Sequence, residues 1–195
     1  NVKDDGAISV VPIGNFKPLL DDTCIHGYPL FASGGLFRVR TGQTHEGTDR
    51  QAAIYRLPPF ERAVRCTKYF EGWHSEKHHP YVGYGHKLLP GERFSARTMT
   101  KRQADALLRK DLRKFCAMFR QFGKDSLLLA TLAYNVGPYR LLGSGKIPKS
   151  TLIRKLEAGD RNIYREYIAF CNYKGKRHSM LLKRRKAEFA FLYIP

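Results

Sequence analysis

One stretch of the chain, Tyr69 to His86, concentrates side chains that could carry out acid–base chemistry. Its first carboxylate, Glu71, falls where a segment with an apolar face runs into Gly72, so we expect Glu71 at the last turn of a helix, open to a cleft. Beyond it lie four of the chain's seven histidines and the run Gly83-Tyr84-Gly85-His86. Alternating glycines let a backbone turn tightly and approach a neighbour closely. A carboxylate at a helix end followed by a glycine-rich hairpin is an arrangement that suits glycoside hydrolysis.

Glu71 is the candidate acid in this stretch. Cleaving a glycosidic bond near neutral pH requires a carboxylic acid that stays protonated until it donates to the leaving oxygen, and burial beside apolar groups favours the protonated form. Phe70 and Trp73 provide such neighbours in the sequence. We therefore predict that a Glu71→Gln variant folds nearly normally and loses activity. An arginine locked onto this carboxylate in the interior would instead mark Glu71 as a structural residue.

Further short motifs follow Glu71-Gly72 and the glycine run in order: Asp105 to Asp111, Ala133-Tyr134-Asn135-Val136-Gly137, Ser150-Thr151-Leu152, and Arg184-Arg185 with Glu188. With this order and spacing, residues 58–195 resemble the phage-type lysozymes of glycoside hydrolase family 24. The resemblance implies an α+β, lysozyme-like fold, in which a small β-hairpin lobe and a mainly helical lobe face each other across a cleft. It also implies a muramidase that cuts the β-1,4 bond between N-acetylmuramic acid and N-acetylglucosamine, with Glu71 as general acid and no cofactor.

The group that would activate water is less well defined by the sequence. The family carries an aspartate and a threonine between its glutamate and its glycine run, but here only eleven residues separate Glu71 from Gly83. Glu76 is the nearest carboxylate and Tyr81 stands two residues before Gly83, so both are candidates. Inverting hydrolases need two carboxyl groups roughly 6.5–9.5 Å apart, and retaining ones about 5 Å. A lytic transglycosylase, which uses one glutamate and a hydroxyl of the substrate in place of water, is the alternative.

The resemblance also indicates residues around the substrate. Tyr134, Asn135, Ser150 and Thr151 match positions that line the sugar cleft of the family, where an aromatic face, an amide and hydroxyls suit N-acetyl sugars. Without substrate contact, Tyr134 would be a core aromatic residue and Ser150 a helix cap. His86 closes the glycine run and is expected to hold the hairpin to the helical lobe beside the substrate.

A metal site is not predicted. A histidine cluster is present at His74, His78, His79 and His86, but only the first two have the i, i+4 spacing of ligands on one helix face. The run His45-Glu46-Gly47-Thr48-Asp49 is similar to half of the metal site of a zinc peptidase family. The His-x-His half that such a site needs does not follow it, so a surface turn is the preferred interpretation.

Positive charge is concentrated in one part of the chain. Of 35 basic and 17 acidic residues, residues 1–57 hold six of each, so the whole net charge of +18 lies in residues 58–195. That part should therefore meet an anionic partner, either bacterial cell wall or nucleic acid. The resemblance favours peptidoglycan, without an obligatory nucleic acid. A basic binding module with no turnover, on the same fold, would show the same charge.

Three features of the sequence bear on the cellular compartment in which the protein acts. No 18-residue apolar run is present, so no membrane span is predicted. The start at Asn1 without Met suggests a processed chain that has already lost a signal peptide. The even number of cysteines favours an oxidising compartment, although Cys24, Cys66, Cys116 and Cys171 could form disulfides, remain free or do both. We expect a monomer that acts in the periplasm or after secretion.

Composition divides the chain near Leu57. Residues 1–57 are rich in Gly and Pro and are predicted to form an irregular extension of strands and turns that packs on the domain of residues 58–195. In that domain the patterns predict helices over 60–71, 100–123, 127–136, 151–158 and 179–193, and a bent hairpin within 78–96. Another predicted helix contains Ile163, Tyr164, Tyr167, Ile168 and Cys171. The predicted helix caps are Thr100, Asp125 or Ser126, and Ser150. Arg184 and Arg185 in the last helix are expected to be structural, with Glu188 as a partner one turn on.

Overall fold

The computed structural model describes residues 53–195. The helices are α1 (Pro59–Glu71), α2 (Lys101–Met118), α3 (Ser126–Val136), α4 (Tyr139–Leu142), α5 (Thr151–Glu157), α6 (Tyr164–Ile168) and α7 (Ser179–Leu192), with 3-10 segments at Glu76–His78 and Arg120–Asp125. The strands are β1 (Tyr81–Val82), β2 (His86–Lys87), β3 (Asn172–Tyr173) and β4 (Lys176–Arg177), which pair as two antiparallel hairpins, β1–β2 and β3–β4. This combination of helices and small antiparallel hairpins confirms the predicted α+β class.

Helix α1 determines where the candidate acid lies. It begins at Pro59, whose fixed φ and missing N–H suit the first helical turn. It ends at Glu71 because Gly72 adopts φ 65°, and the Gly72 N–H closes the last turn on the Lys68 carbonyl at 3.1 Å. Glu71 therefore occupies the helix end that the sequence predicts for it.

Helix α2 begins with the predicted capping box. Thr100 Oγ1 accepts a hydrogen bond from the Gln103 N–H at 3.2 Å, and Gln103 Oε1 accepts one from the Thr100 N–H at 2.8 Å. The predicted end at Gly123 is wrong, since the helix stops at Met118 and a 3-10 segment follows. Gly123 lies in that segment with φ 53°, which separates α2 from α3.

Helix α3 is the centre of the main core, as its nearly all-apolar sequence predicts. Its residues 128–133 are buried, and α1, α2 and α7 all pack against it. The predicted side-chain cap at Asp125 or Ser126 is wrong, because no side chain caps this helix. The Asp125 carboxylate instead accepts two hydrogen bonds from Arg161, both at 2.8 Å.

The β1–β2 hairpin has a small apolar cluster separate from the main core. Its register pairs Tyr81 with Lys87 and Val82 with His86. Val82 packs against residues at the start of α2 and just before it: Met99, Ala104 and Leu107. The hairpin predicted within residues 78–96 is present, but its strands are only two residues long. The hairpin is therefore held mainly by its contacts with α2.

Helix α4 and the β3–β4 hairpin were not predicted. The predicted inclusion of Cys171 in the preceding helix is wrong, since α6 ends at Ile168. The hairpin turns at Lys174 and Gly175, with φ values of 48° and 76°, which is the two-residue turn that suits the twist of paired strands. The Lys-Gly pair is a weaker turn signal than Asn-Gly, so the sequence pattern did not stand out.

Most of the predicted extension, residues 1–52, lies outside the described residues. From residue 53 onward the chain contacts the domain: residues 53–55 are helical, Ile54 packs against the main core, and the rings of Tyr55 and Phe191 lie 5.5 Å apart. Among the described helices, none combines the length and the apolar character needed to cross a membrane.

Candidate active site

Glu71, the last residue of α1, is buried, with 4% of its surface exposed. Its Oε1 accepts a hydrogen bond from Arg184 Nη1 at 2.8 Å and another from Asn135 Nδ2 at 3.4 Å. Arg184 is itself only 2% exposed. The expectation of an open carboxylate with apolar neighbours is therefore wrong, since Glu71 takes part in an interior ion pair. This is the interior arginine contact that, from the sequence, would mark Glu71 as a structural residue. An arginine at this distance is the usual partner of an ionised carboxylate, which counts against Glu71 as a simple proton donor.

Glu71 belongs to a buried network of two arginines and two carboxylates. Arg184 Nε donates to Glu188 Oε1 at 2.7 Å, and Arg185 Nη1 lies 2.8 Å from Glu188 Oε2. Arg185 Nη2 donates to Asn135 Oδ1 at 2.5 Å and so orients the amide that contacts Glu71. Burial lowers the pKa of Arg184, but the Glu71 and Glu188 carboxylates outweigh burial and hold that pKa above its usual value. When both carboxylates are ionised, the charges of the network balance.

The second oxygen of Glu71 faces the turn between β1 and β2. A Cβ added at Gly85 would lie 3.1 Å from Glu71 Oε2, so the turn passes closely over this oxygen. Within residues 53–195 Oε2 has no hydrogen-bond partner, yet it is not one of the fully buried unpaired atoms, so it keeps some contact with solvent. Glu71 is thus anchored through one oxygen, while the other remains free beside the glycine turn.

Aromatic side chains surround the same turn. The Tyr134 hydroxyl donates to the Tyr84 carbonyl at 2.9 Å. Burial, and then the negative charge of Glu71, raise the pKa of Tyr134 well above its usual value, so this hydroxyl remains a hydrogen-bond donor. The rings of Trp73 and Tyr84 meet edge to face at 5.5 Å. Tyr134 therefore both packs in the core and holds the turn over Glu71.

Within residues 53–195, no hydrogen bond or ion pair joins either candidate for water activation to Glu71. Glu76 has a side chain that is 59% exposed and forms an ion pair with Arg97 at 3.0 Å. Tyr81 lies in β1, where its ring faces His74 at a centroid distance of 6.1 Å. The carboxylate that shares Arg184 with Glu71 is Glu188, which is fully buried. The contacts of the described residues thus provide Glu71 with no accessible carboxylate partner.

His86 ties the hairpin to α2. Its Nδ1 lies 2.6 Å from Asp111 Oδ2 on α2, and its Nε2 lies 2.8 Å from Glu92 Oε2. Burial lowers the pKa of His86, but the hydrogen bonds to Asp111 and Glu92 outweigh burial, so the pKa is raised overall. A protonated ring can donate to both carboxylates at once. These contacts give His86 a structural position, and substrate binding by this residue remains a prediction.

We expect the stability contributed by His86 to be lost as pH rises. The unfolded pKa is about 6.5 and the folded pKa is higher, so this stability is fully present below about pH 6.5 and is lost as pH rises through the folded pKa. Urea unfolding between about pH 6 and pH 9 would measure the slope of the free energy of unfolding against pH. His86→Gln should flatten the slope, whereas the same change at the exposed His79 should retain it. Equal slopes in all three proteins would contradict this interpretation.

Ser150 and Thr151 line a groove of which Glu71 is not a lining residue. Ser150 Oγ caps α5 as predicted, accepting from the Ile153 N–H at 3.2 Å. Both residues line an open groove of about 540 Å³, together with Leu152, Arg165, Glu166, Ala169 and Phe170. Asn135 contacts Glu71 directly and Tyr134 holds the turn beside it, whereas no hydrogen bond joins Ser150 or Thr151 to Glu71 within residues 53–195, and substrate binding by these two hydroxyls remains a prediction.

The histidine, cysteine and carboxylate side chains of residues 53–195 are spread over separate contacts. Within residues 53–195, no three histidine, cysteine or carboxylate side chains are grouped so that they could hold a metal ion. The rings of His74 and His78 lie 5.1 Å apart, while His86 contacts its two carboxylates. The described cysteines are free thiols: Cys66, Cys116 and Cys171. The motif at residues 45–49 and Cys24 lie outside the described residues.

The contact that sequence reasoning missed is the one between Arg184 and Glu71. The predicted pairing of both arginines with Glu188 is present in the structure. That reasoning used spacing within α7, whereas Glu71 lies 113 positions before Arg184. The sequence nevertheless contained a signal for this contact. Arg184 and Arg185 share one acidic neighbour, Glu188, and Glu71 belongs to the same set of ordered motifs.

The chain is similar to known proteins in both sequence and fold. A family model described as phage lysozyme matches residues 64–188. Among solved structures, the muramidase domain of SpmX from Asticaccaulis excentricus superposes with a TM-score of 0.55 and 22% sequence identity, over 72% of this chain and 100% of that domain. At this identity the likeness shows the fold, which is lysozyme-like. A search of curated proteins finds no match. The family model covers well over half of the chain and includes Glu71, the β1–β2 hairpin and Arg184, so the chain belongs to the phage lysozyme family.

Proposed function

We propose that this chain is a muramidase that cleaves the β-1,4 bond between N-acetylmuramic acid and N-acetylglucosamine in peptidoglycan. Membership of the phage lysozyme family supports peptidoglycan as the substrate class. The observation that carries the assignment of Glu71 is its one-sided anchoring, with Oε1 bound by Arg184 and Asn135 and Oε2 free beside the glycine turn. A proton on Oε2 would pass to the glycosidic oxygen as the bond to C1 breaks, and water would add to C1.

The ion pair with Arg184 limits how this acid can work. A protonated Glu71 would leave the two arginines facing only one carboxylate, Glu188, in a buried site. Substrate would therefore have to displace water from Oε2 and favour the protonated form when the sugar is bound. Arg184 and Asn135 then act on Glu71 as positioning residues, because both contact the oxygen that does not donate.

Single-carboxylate chemistry is the second candidate. Glu76 is mostly exposed and pairs with Arg97, and within residues 53–195 no hydrogen bond or ion pair joins it to Glu71. In a lytic transglycosylase a hydroxyl of the muramic residue attacks C1 instead and leaves an anhydro end. The balanced charges around Arg184 favour a third candidate, a domain that binds the glycan without cleaving it.

Product analysis distinguishes these candidates. Purified chain is incubated with peptidoglycan, and the soluble fragments are examined by mass spectrometry before and after reduction with borohydride. Hydrolysis yields reducing muramic ends, which gain two hydrogens on reduction, whereas transglycosylation yields anhydro ends that do not. Absence of soluble fragments, together with sedimentation of the protein with the wall, would contradict both enzymatic candidates.

Exposed positive charge supports an anionic wall partner. Lys110, Arg113 and Lys114 on α2 are exposed, and none forms an ion pair within the described part of the chain. Such a positively charged face increases the rate of association with polyanions, and added salt reduces this increase. We propose action as a monomer outside the cytoplasm, in the periplasm or after secretion, where this substrate is found.

Gly85→Ala should reduce cleavage at least tenfold. The new Cβ would meet Glu71 Oε2 at 3.1 Å and displace the free oxygen, and small displacements of catalytic groups have large effects on rate. Gly91→Ala is the matched control, because Gly91 has φ 88° against 89° at Gly85 but no atom within 4 Å of an added Cβ. Both variants should lose similar stability, about 1–2 kcal/mol, through backbone strain. Equal rates of reducing-end release would contradict the placement of Oε2 at the reacting bond.

A further inference from the structure

Trp73 is an exposed aromatic residue beside the candidate acid. It lies two residues after Glu71, which limits the distance between their Cα atoms to about 7 Å. Trp73 is 36% exposed, whereas Glu71, two residues before it, and His74, directly after it, are 4% and 0% exposed. Trp73 is therefore a large aromatic side chain that is partly open to solvent and close in sequence to the buried candidate acid.

The indole is held in place from several directions. Gly72, with φ 65°, turns the chain out of α1 immediately before it, and the N–H of His74 donates to the Gly83 carbonyl at 2.7 Å immediately after it. One side of the indole packs edge to face on Tyr84 at 5.5 Å. Tyr84 is in turn fixed, because its carbonyl accepts from Tyr134 and its ring lies 5.0 Å from the Lys68 ammonium. These contacts support the aromatic face without a ligand, which lowers the free-energy cost of ordering it when a ligand binds.

We propose that Trp73 is a sugar-stacking residue that binds the apolar face of a pyranose ring next to the bond that Glu71 acts on. Pyranose rings present C–H groups on one face and hydroxyls at the rim, which matches a flat indole with polar groups beside it. This stacking contact rests on the proposed function for its position, because it assigns a ligand contact to the same site. It does not depend on turnover, because stacking would equally serve a domain that only binds glycan.

Trp73 is also the one tryptophan in the sequence, so intrinsic tryptophan fluorescence reports on this position alone. The probe is a tetramer of β-1,4-linked N-acetylglucosamine, titrated into wild-type protein and into Glu71→Gln. We expect saturable changes in tryptophan emission in both proteins, with the same dissociation constant as calorimetry gives. Binding seen by calorimetry without any change in emission would overturn the proposal, as would absence of binding by both methods.

Substitution separates stacking from a structural role. In calorimetric titrations, Trp73→Ala should weaken binding about threefold to tenfold, and Trp73→Phe should restore most of the affinity because it keeps a flat ring. Tyr164→Ala is the control, since Tyr164 is a similarly exposed aromatic residue, 40% exposed, on α6. Equal affinity of Trp73→Ala and Tyr164→Ala would overturn the proposal. If wild-type protein releases no fragments from peptidoglycan while the emission titration succeeds, the muramidase proposal fails and this one stands.

Discussion

Glu71→Gln is expected to lower the release of reducing ends from peptidoglycan by roughly a thousandfold, within the 10²–10⁴ range that general acid catalysis contributes. Glutamine has the same shape and can still accept a hydrogen bond from Arg184 Nη1 through its amide oxygen. It has no proton to give to a glycosidic oxygen. The loss should therefore appear in kcat, with substrate affinity nearly retained.

The buried ion pair changes the expected effect of this substitution on stability. From sequence, folding should be nearly unaffected, because Glu71 was expected at an open position. In the structure the substitution leaves Arg184 and Arg185 facing one carboxylate, so we expect a loss of about 1–3 kcal/mol in the free energy of unfolding. Circular dichroism during thermal unfolding would show a lower midpoint but an intact folded baseline.

Glu76→Gln is the matched control for the kinetic measurement. Its carboxylate is on the same stretch of chain but is mostly exposed and pairs with Arg97. We expect its activity within a factor of about two of wild type, since exposed ion pairs contribute little. Undiminished cleavage by Glu71→Gln would remove Glu71 from the mechanism. A large loss in Glu76→Gln would restore Glu76 as the group that activates water.

Elements set by local patterns were predictable from sequence. Thr100 and Gln103 lie three residues apart, and Gly72 lies next to the helix it ends, so a short window contains all the information that each feature needs. The position of Glu71 at a helix end and the close approach of Gly85 follow from such windows. Helix α3 was recognisable as the core because it is apolar on nearly every side.

What Glu71 contacts could not be predicted in this way. Its partners Asn135 and Arg184 come from α3 and α7, and they meet at Glu71 only after three helices have packed together. Burial is decided by the same packing, so an expectation based on Phe70 and Trp73 as sequence neighbours missed the arginine. For Ser150, local reasoning correctly predicted the cap on α5, but the groove it lines is formed with residues of α6 and the segment after it.

Glu188→Gln is expected to have the largest effect on stability, a loss of about 3–5 kcal/mol in the free energy of unfolding. Glu188 is fully buried and binds three groups: Arg184 Nε at 2.7 Å, Arg185 Nη1 at 2.8 Å and the Tyr167 hydroxyl at 3.0 Å. Replacing its charge leaves Arg185 as a buried cation without an ionised partner. Since a domain of this size is stable by about 5–15 kcal/mol, the loss is a large fraction of the total.

Chemical denaturation measures this loss against a surface pair in the same protein. With an m-value of about 2 kcal/mol/M, the urea midpoint of Glu188→Gln should fall by roughly 2 M. Glu157→Gln removes an equally short ion pair, 2.7 Å from Lys149, whose side chains are 38% and 42% exposed, and should shift the midpoint by less than about 0.5 M. Similar midpoints for the two variants would mean that water reaches the arginines. The interior ion pair that constrains Glu71 would then be far weaker than its geometry indicates, and Glu71 would be correspondingly freer to carry a proton.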